Sequence, residues 1–138
     1  MKPYFYILFT VFINCSDNIS ENDIQKLNGY WEINKVESID EKVTEFKINS
    51  TIDFYYVDKT NQGYRKKTSI DFSGTYKTNK IKDQIIIENK NGQYVIKTKT
   101  PFDNWEDTII KLTNESLTLK NKSGAMFYYK KHEKFNSN

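Results

Sequence analysis

Apolar and polar residues alternate through most of this chain. In "EFKINSTIDFYYV", Phe46, Ile48, Ile52, Phe54 and Tyr56 fall on one side, and Lys47, Asn49, Thr51 and Asp53 on the other. "TSIDFSGTYKT" sets Ile70, Phe72 and Tyr76 against Ser69, Asp71, Ser73, Thr75 and Lys77. A period of two predicts strands with one buried face. The pattern continues through Ile85 and Ile87, Tyr94 and Ile96, Ile110 and Leu112, Leu117 and Leu119, then Phe127 and Tyr129. Turn residues punctuate it: Gly63, Asn91-Gly92, the "TNES" before Leu117, and Gly124. Asn-Gly between apolar pairs suits a tight hairpin. Only "SENDIQKLNG", residues 20–29, reads as helix. Ser20 and Asp23 cap it, Ile24 and Leu27 face inward, and Gly29 stops it.

This pattern predicts eight strands, at about 30–38, 44–57, 63–78, 81–88, 93–100, 105–113, 116–121 and 125–132. In meander order, eight strands close into an antiparallel up-and-down β-barrel without exposed edges. The expected class is therefore all-β, with a short N-terminal helix. The apolar alternate positions are expected to line the interior. Ser50, Thr68, Gly74 and Thr98 fall among them and leave room at one end.

The first residues break this pattern. "MKPYFYILFTVFIN" has one lysine, Lys2, before an apolar run from Tyr4 to Ile13. The run is about half of the ~20 residues a spanning helix needs. Its layout is that of a secretory signal. The only cysteine, Cys15, follows at once, and then the polar "SDNISENDIQK". The arrangement resembles a bacterial lipoprotein signal, in which cleavage precedes a cysteine carrying diacylglycerol on its sulfur. Asn14 stands at the position before the cysteine, where a small residue is usual. The expected organisation is a signal peptide at 1–14, a lipidated tether at 15–23 and a barrel domain at 24–135. A lipid on Cys15 anchors a domain to a membrane without spanning it.

Composition narrows the chemistry. Charged residues make up 28% of the chain and the net charge is only +3, with Arg65 the sole arginine. That balance excludes a nucleic-acid footprint. With one cysteine no disulfide forms within the chain, and with one histidine, His132, a zinc ligand set is lacking. His132 reads as an exposed residue of a basic tail, with no nucleophile in a recognisable setting beside it. Neighbouring acids such as Glu106 and Asp107 sit on opposite faces of a strand and do not converge. The sequence predicts no catalytic residue, metal or cofactor, so an enzyme is not expected.

After the short helix comes "LNGYWEINKVES", in which Gly29-Tyr30-Trp31 opens the first strand. Together with the "FINC" box and the C-terminal "MFYYKK", it resembles the lipocalin-like lipoproteins of the Bacteroidetes. The resemblance covers nearly all of residues 24–132. It implies a barrel closed at one end by Trp31, with Gly29 turning the chain in from the helix. The Thr-Asp-Tyr-type motif of classical lipocalins is missing, and Lys130 or Lys131 stands where those proteins place an arginine over the tryptophan. The resemblance further implies an outer-membrane protein, lipid-anchored through Cys15, that holds a small hydrophobic molecule. Candidate ligand-binding residues are Phe54, Tyr56, Phe72, Tyr76 and Tyr94, with Phe102 and Trp105 from the loop "TPFDNWED". The alternative is a filled barrel acting as an envelope protein-interaction module, with Phe102 and Trp105 as either recognition patch or plug.

Overall fold

A computed structural model describes residues 18–47, 49–71 and 73–133. Residues 1–17, which include the expected signal peptide and Cys15, lie outside the described residues, as do Ile48 and Phe72. A 3-10 helix, Glu21–Leu27, precedes ten strands. These are β1 (Gly29–Glu37), β2 (Val43–Glu45), β3 (Thr51–Val57), β4 (Gln62–Ile70), β5 (Tyr76–Thr78), β6 (Asp83–Lys90), β7 (Gln93–Lys99), β8 (Asn104–Leu112), β9 (Ser116–Asn121) and β10 (Met126–His132). Eight of them, β1, β3, β4, β6, β7, β8, β9 and β10, pair antiparallel in that order, and β10 returns to β1. The result is the closed meander barrel that the alternation predicts. β2 and β5 are short additions hydrogen-bonded to β1 and β4.

Those additions arise where the chain turns inside two predicted strands. The expected strand 44–57 divides into β2 and β3, and the expected strand 63–78 into β4 and β5. At the second break the Asp71 carboxylate accepts backbone N–H bonds from Ser73 and Thr75, both at 3.0 Å. An aspartate bonding its own following backbone is a local alternative to strand pairing. Gly74 takes the positive φ of 77° in that turn.

One end of the barrel is sealed. Ile24 and Leu27 are both fully buried, and at three residues per turn their i, i+3 spacing puts them on one face of the 3-10 helix. The Asp23 carboxylate accepts the Ser20 N–H at 2.8 Å and ties off the helix start. At the other end of the helix, Asn28 bonds both backbone groups of Val57, accepting at 2.6 Å and donating at 3.1 Å. Its amide thus acts as one more strand partner and docks the helix on the end of β3. Trp31 is completely buried and donates its indole N–H to the Leu27 carbonyl at 2.8 Å. Around these pack Val57, Ile87, Leu112 and Leu117, all in the main core.

Gly29 has φ 122°, and a Cβ there would meet the Lys131 side chain at 2.9 Å. The positive φ is what favours glycine, since the tip of the Lys131 side chain is flexible and can yield. The space is used by Lys131, whose ammonium lies 4.4 Å from the centre of the Trp31 ring. It donates to the Lys26 carbonyl at 3.2 Å and also to the Asn28 carbonyl. These are carbonyls at the helix C-terminus, where a cation is favoured. Lys131 rather than Lys130 therefore closes this end.

Two predicted phases are corrected. In β3 the inward residues are Asp53, Tyr55 and Val57; Tyr55 and Val57 are 3% and 1% exposed and belong to the main core. Ile52, Phe54 and Tyr56 take the opposite face, where Ile52 is still buried, at 1% exposed, but apart from the main core cluster. "FYYV" is apolar on both faces, so alternation alone leaves its phase open. In β8 a bulge lies between Ile109 and Lys111. The bulge shifts the face by one residue, so Ile109 is buried and Ile110, expected inside, is 41% exposed.

Candidate functional site

Above the sealed end the interior is polar, aromatic and open. The inward phase of β3 and the partner positions on β4 bring Asp53, Tyr55, Arg65 and Lys67 to the lumen. Asp83 enters from β6, directly across from Arg65. Trp105 and Asp107 enter from β8, and Phe127 and Tyr129 from β10. Two adjoining cavities share Phe127 and Tyr129. One, of about 480 Å3, is lined by Tyr55, Arg65, Trp105 and Asp107 among others. The other, of about 400 Å3, is lined by Trp31, Ile33, Phe46, Asp53 and Lys67 among others.

Arg65 organises the polar part. It donates to one oxygen of Asp83 from Nη2 at 2.7 Å and from Nε at 3.2 Å. Both side chains of the pair are 14% exposed. The guanidinium carbon lies 5.1 Å from the Trp105 ring centre, and the Trp105 indole N–H is donated to Asp107 at 3.1 Å. Burial opposes the charge on Arg65, but the carboxylates of Asp83 and Asp53 outweigh it and hold the guanidinium firmly protonated. Asp53 makes no side-chain hydrogen bond among the described residues. Its carboxyl is raised above the ordinary range by burial, with Arg65 and Lys67 pulling the other way. Burial likewise raises Asp107, against the Trp105 hydrogen bond and Arg65. Burial, then the nearby Asp53, pushes the phenols of Tyr55 and Tyr129 up, so both remain protonated. Tyr55 is 3% exposed and lines the cavity. Its hydroxyl has no hydrogen-bond partner among the described residues.

A pH dependence follows. A carboxyl whose folded pKa is raised binds its proton more tightly folded than unfolded. Its contribution to stability is complete below the unfolded value, near 3.8 for aspartate, and is lost as pH rises through the folded one. The lowered Glu32, Asp58 and Asp71 act in the opposite sense. The informative quantity is therefore a difference. Asp53→Asn is expected to gain on the native chain as pH rises from about 4 until the folded carboxyl is ionised, and to hold that gain above it, measured by thermal unfolding at each pH. A variant whose deficit grows with pH would contradict the raised carboxyl.

The expected ligand-binding residues are dispersed. Trp105 is in the lumen. Tyr94 is 7% exposed and packed within the main core, with no place on the cavity wall. Phe54, Tyr56 and Tyr76 are on the outer wall, not inside. There Tyr30 stacks at 4.8 Å from Phe54 and 5.5 Å from Tyr76, while Tyr64 lies 6.1 Å from Phe54 and 5.4 Å from Tyr56. Their phase follows β3 and the β4–β5 turn described above. Phe72 lies outside the described residues. Phe102 is 96% exposed at the β7–β8 turn, so it does not pack on Trp105 as a plug. His132 is not an exposed tail residue either. Its Nε2 is 2.7 Å from the Tyr76 hydroxyl and its Nδ1 3.3 Å from Glu32, which fastens β10 and β5 together on the outer wall.

Sequence reasoning missed Asp53, Tyr55 and Arg65 as lumen groups. A lone arginine in a lysine-rich chain was one available signal, since Arg suits a buried, bidentate or stacked cation better than Lys. Among the described residues no three His, Cys, Asp or Glu side chains converge closely enough to hold a metal ion.

No protein-family profile and no curated protein matches the sequence. Solved structures match it in fold. A lipocalin-like protein from Bacteroides uniformis superposes with a TM-score of 0.52 at 14% identity, over 78% of this chain and 99% of its own. The fold is lipocalin-like. An uncharacterized protein from Bacteroides eggerthii gives the same TM-score of 0.52 at 13% identity, over 77% of this chain and 99% of its own. At these identities the likeness is one of fold, and the composition of the lumen is this chain's own. In this lipocalin-like barrel the Gly-X-Trp segment forms the sealed end, and the open end carries the charged and aromatic groups.

Proposed function

We propose that this protein is an envelope protein, lipid-anchored through Cys15, that holds a small molecule in the open half of its barrel. The observation that carries the reading is the pair of adjoining lumen cavities, about 480 and 400 Å3. Each falls within the roughly 300–1,000 Å3 typical of small-molecule sites. A barrel filled throughout, as in the interaction-module alternative, has no such space. The lining also changes the ligand class. The sequence predicts a small hydrophobic molecule among apolar inward residues, whereas the open half places carboxylates and Arg65 among its aromatic walls. A ligand with a polar group as well as an apolar body suits it better.

The anchor fits this geometry. Ile19 packs against the core just before the helix of the sealed end, and the four steps from Cys15 to Ile19 span at most roughly 14 Å. An acylated Cys15 therefore sets the sealed end toward the membrane and the mouth toward water. Native mass spectrometry of the protein taken from its own envelope tests both parts. The expected result is a diacylglyceryl mass on Cys15 and a retained small molecule. Cys15→Ala is expected to move the protein from the membrane to the soluble fraction. An unmodified Cys15 and an empty barrel would refute the reading. The interaction-module alternative draws its support from the fully exposed Phe102; under the carrier reading Phe102→Ala leaves the retained molecule in place.

A further inference from the structure

The charge balance of the lumen, taken on the reading that the open half holds a small molecule, leads one step further. We infer that this molecule is an organic cation, an amine carried on an aromatic or apolar body. Of the lumen's charged groups, Arg65 and Asp83 satisfy each other through two hydrogen bonds. That leaves Asp53 and Asp107. Asp107 accepts only the indole N–H of Trp105, and Asp53 accepts nothing among the described residues. Lys67 lines the same cavity directly across from Asp53 on β4 and attracts its charge, yet its side chain is exposed and forms no ion pair with Asp53 among the described residues, so it offsets one carboxylate in part and leaves the other. Lys122 lies at the mouth beside Glu106. The lumen thus holds two carboxylates with unused acceptor capacity. Carboxylates in a partly dehydrated site favour an incoming positive charge, and a fatty-acid head would add a further negative one.

Three more features point the same way. The hydroxyl of Tyr55 opens on the cavity without a partner among the described residues although the residue is 3% exposed, and its oxygen can accept an ammonium N–H. Trp105, Phe127 and Tyr129 supply aromatic walls of the kind that receive both an apolar body and a cation. A metal ion is the less suitable cation, because no three ligating side chains converge among the described residues.

The test uses three probes of nearly one shape: 2-phenylethylamine, 2-phenylethanol and phenylacetate, titrated calorimetrically into the full-length protein at neutral pH. The amine is expected to bind at least tenfold more tightly than the alcohol, and phenylacetate most weakly. Asp53→Asn/Asp107→Asn is expected to abolish the preference for the amine while the alcohol binds as before. If that double variant does not fold, the native protein alone decides through the order of the three affinities. Equal affinities, or phenylacetate ahead of the amine, would overturn the cation while leaving the barrel a small-molecule site. A preference for the amine that survives in a folded double variant would also overturn it. Binding of none of the three would overturn the cation; if a neutral apolar dye is then also excluded, the carrier reading falls with it.

Discussion

Trp31→Ala is expected to lower the unfolding free energy by about 3–5 kcal/mol, the usual range for removing a fully buried large aromatic. Trp31 is 0% exposed, and its ring is the lid on which the helix and β10 meet. Its indole N–H holds the Leu27 carbonyl, and its face receives the Lys131 ammonium. Lys131 in turn bonds the carbonyls of Lys26 and Asn28. Without the ring, the helix loses its floor and Lys131 loses one of its reasons to stay. Small domains are stable by roughly 5–15 kcal/mol, so the variant is expected to be only marginally folded. Urea unfolding of the full chain measures it. Trp31→Phe, which keeps an aromatic ring but not the N–H, is expected to fall between. Phe102→Ala serves as the control: the residue is 96% exposed, and the change should stay within about 0.5 kcal/mol. A loss under about 1 kcal/mol for Trp31→Ala would mean that the sealed end does not close the fold.

That sealed end was legible in the sequence because several local signals agree there. Ser20 and Asp23 mark the helix start, Ile24 and Leu27 its buried face, and Gly29 with Trp31 the entry to β1. Each is a short-range feature that needs no knowledge of distant pairing. The strand count was legible for the same reason, since alternation and turn residues act over a few positions. The lumen was not. Which face of β3 points inward depends on pairing with β1 and β4, and "IDFYYV" offers apolar residues to both faces. The outer wall then takes Phe54, Tyr56 and Tyr76 because Tyr30 and Tyr64 are there to stack on them. A tertiary partner thus decides what propensity and period leave open. In β8 a single bulge reverses the face of Ile110, and no residue type in "EDTIIKL" announces it. The polar site follows from the phase of β3 and from the pairing of β4 with β6. Asp53 becomes a lumen residue only when the phase of β3 is reversed, and Arg65 matters only once it stands opposite Asp83.

Arg65→Met tests that arrangement most directly, and is expected to cost about 3 kcal/mol at neutral pH, the lower part of the range for breaking a buried ion pair. Methionine keeps much of the side chain's length and apolar volume, so the loss is chiefly electrostatic. The Asp83 carboxylate, 14% exposed, is left without either of its charge-assisted bonds. Asp53 loses the main attraction opposing its burial, so its raised carboxyl rises further. The sign of the pH dependence follows from Asp53. Folded chains of the variant hold its proton more tightly than unfolded ones, which favours folding below the unfolded value near 3.8 and ceases to as pH rises. The deficit against the native chain is therefore expected to be small near pH 4 and to grow toward pH 7, read from urea midpoints at each pH. Arg65→Met/Asp83→Leu separates the cost of an unpaired charge from the worth of the pair. Replacing both partners by apolar residues commonly restores much of what breaking the pair removes, so the double variant is expected to be more stable than Arg65→Met alone. A double variant that is worse than the single would mean that Arg65 contributes mainly through its contact with Trp105 and the packing of its stem. In that case the pH dependence of the deficit would be flat, and the lumen charges would be less coupled than their placement implies.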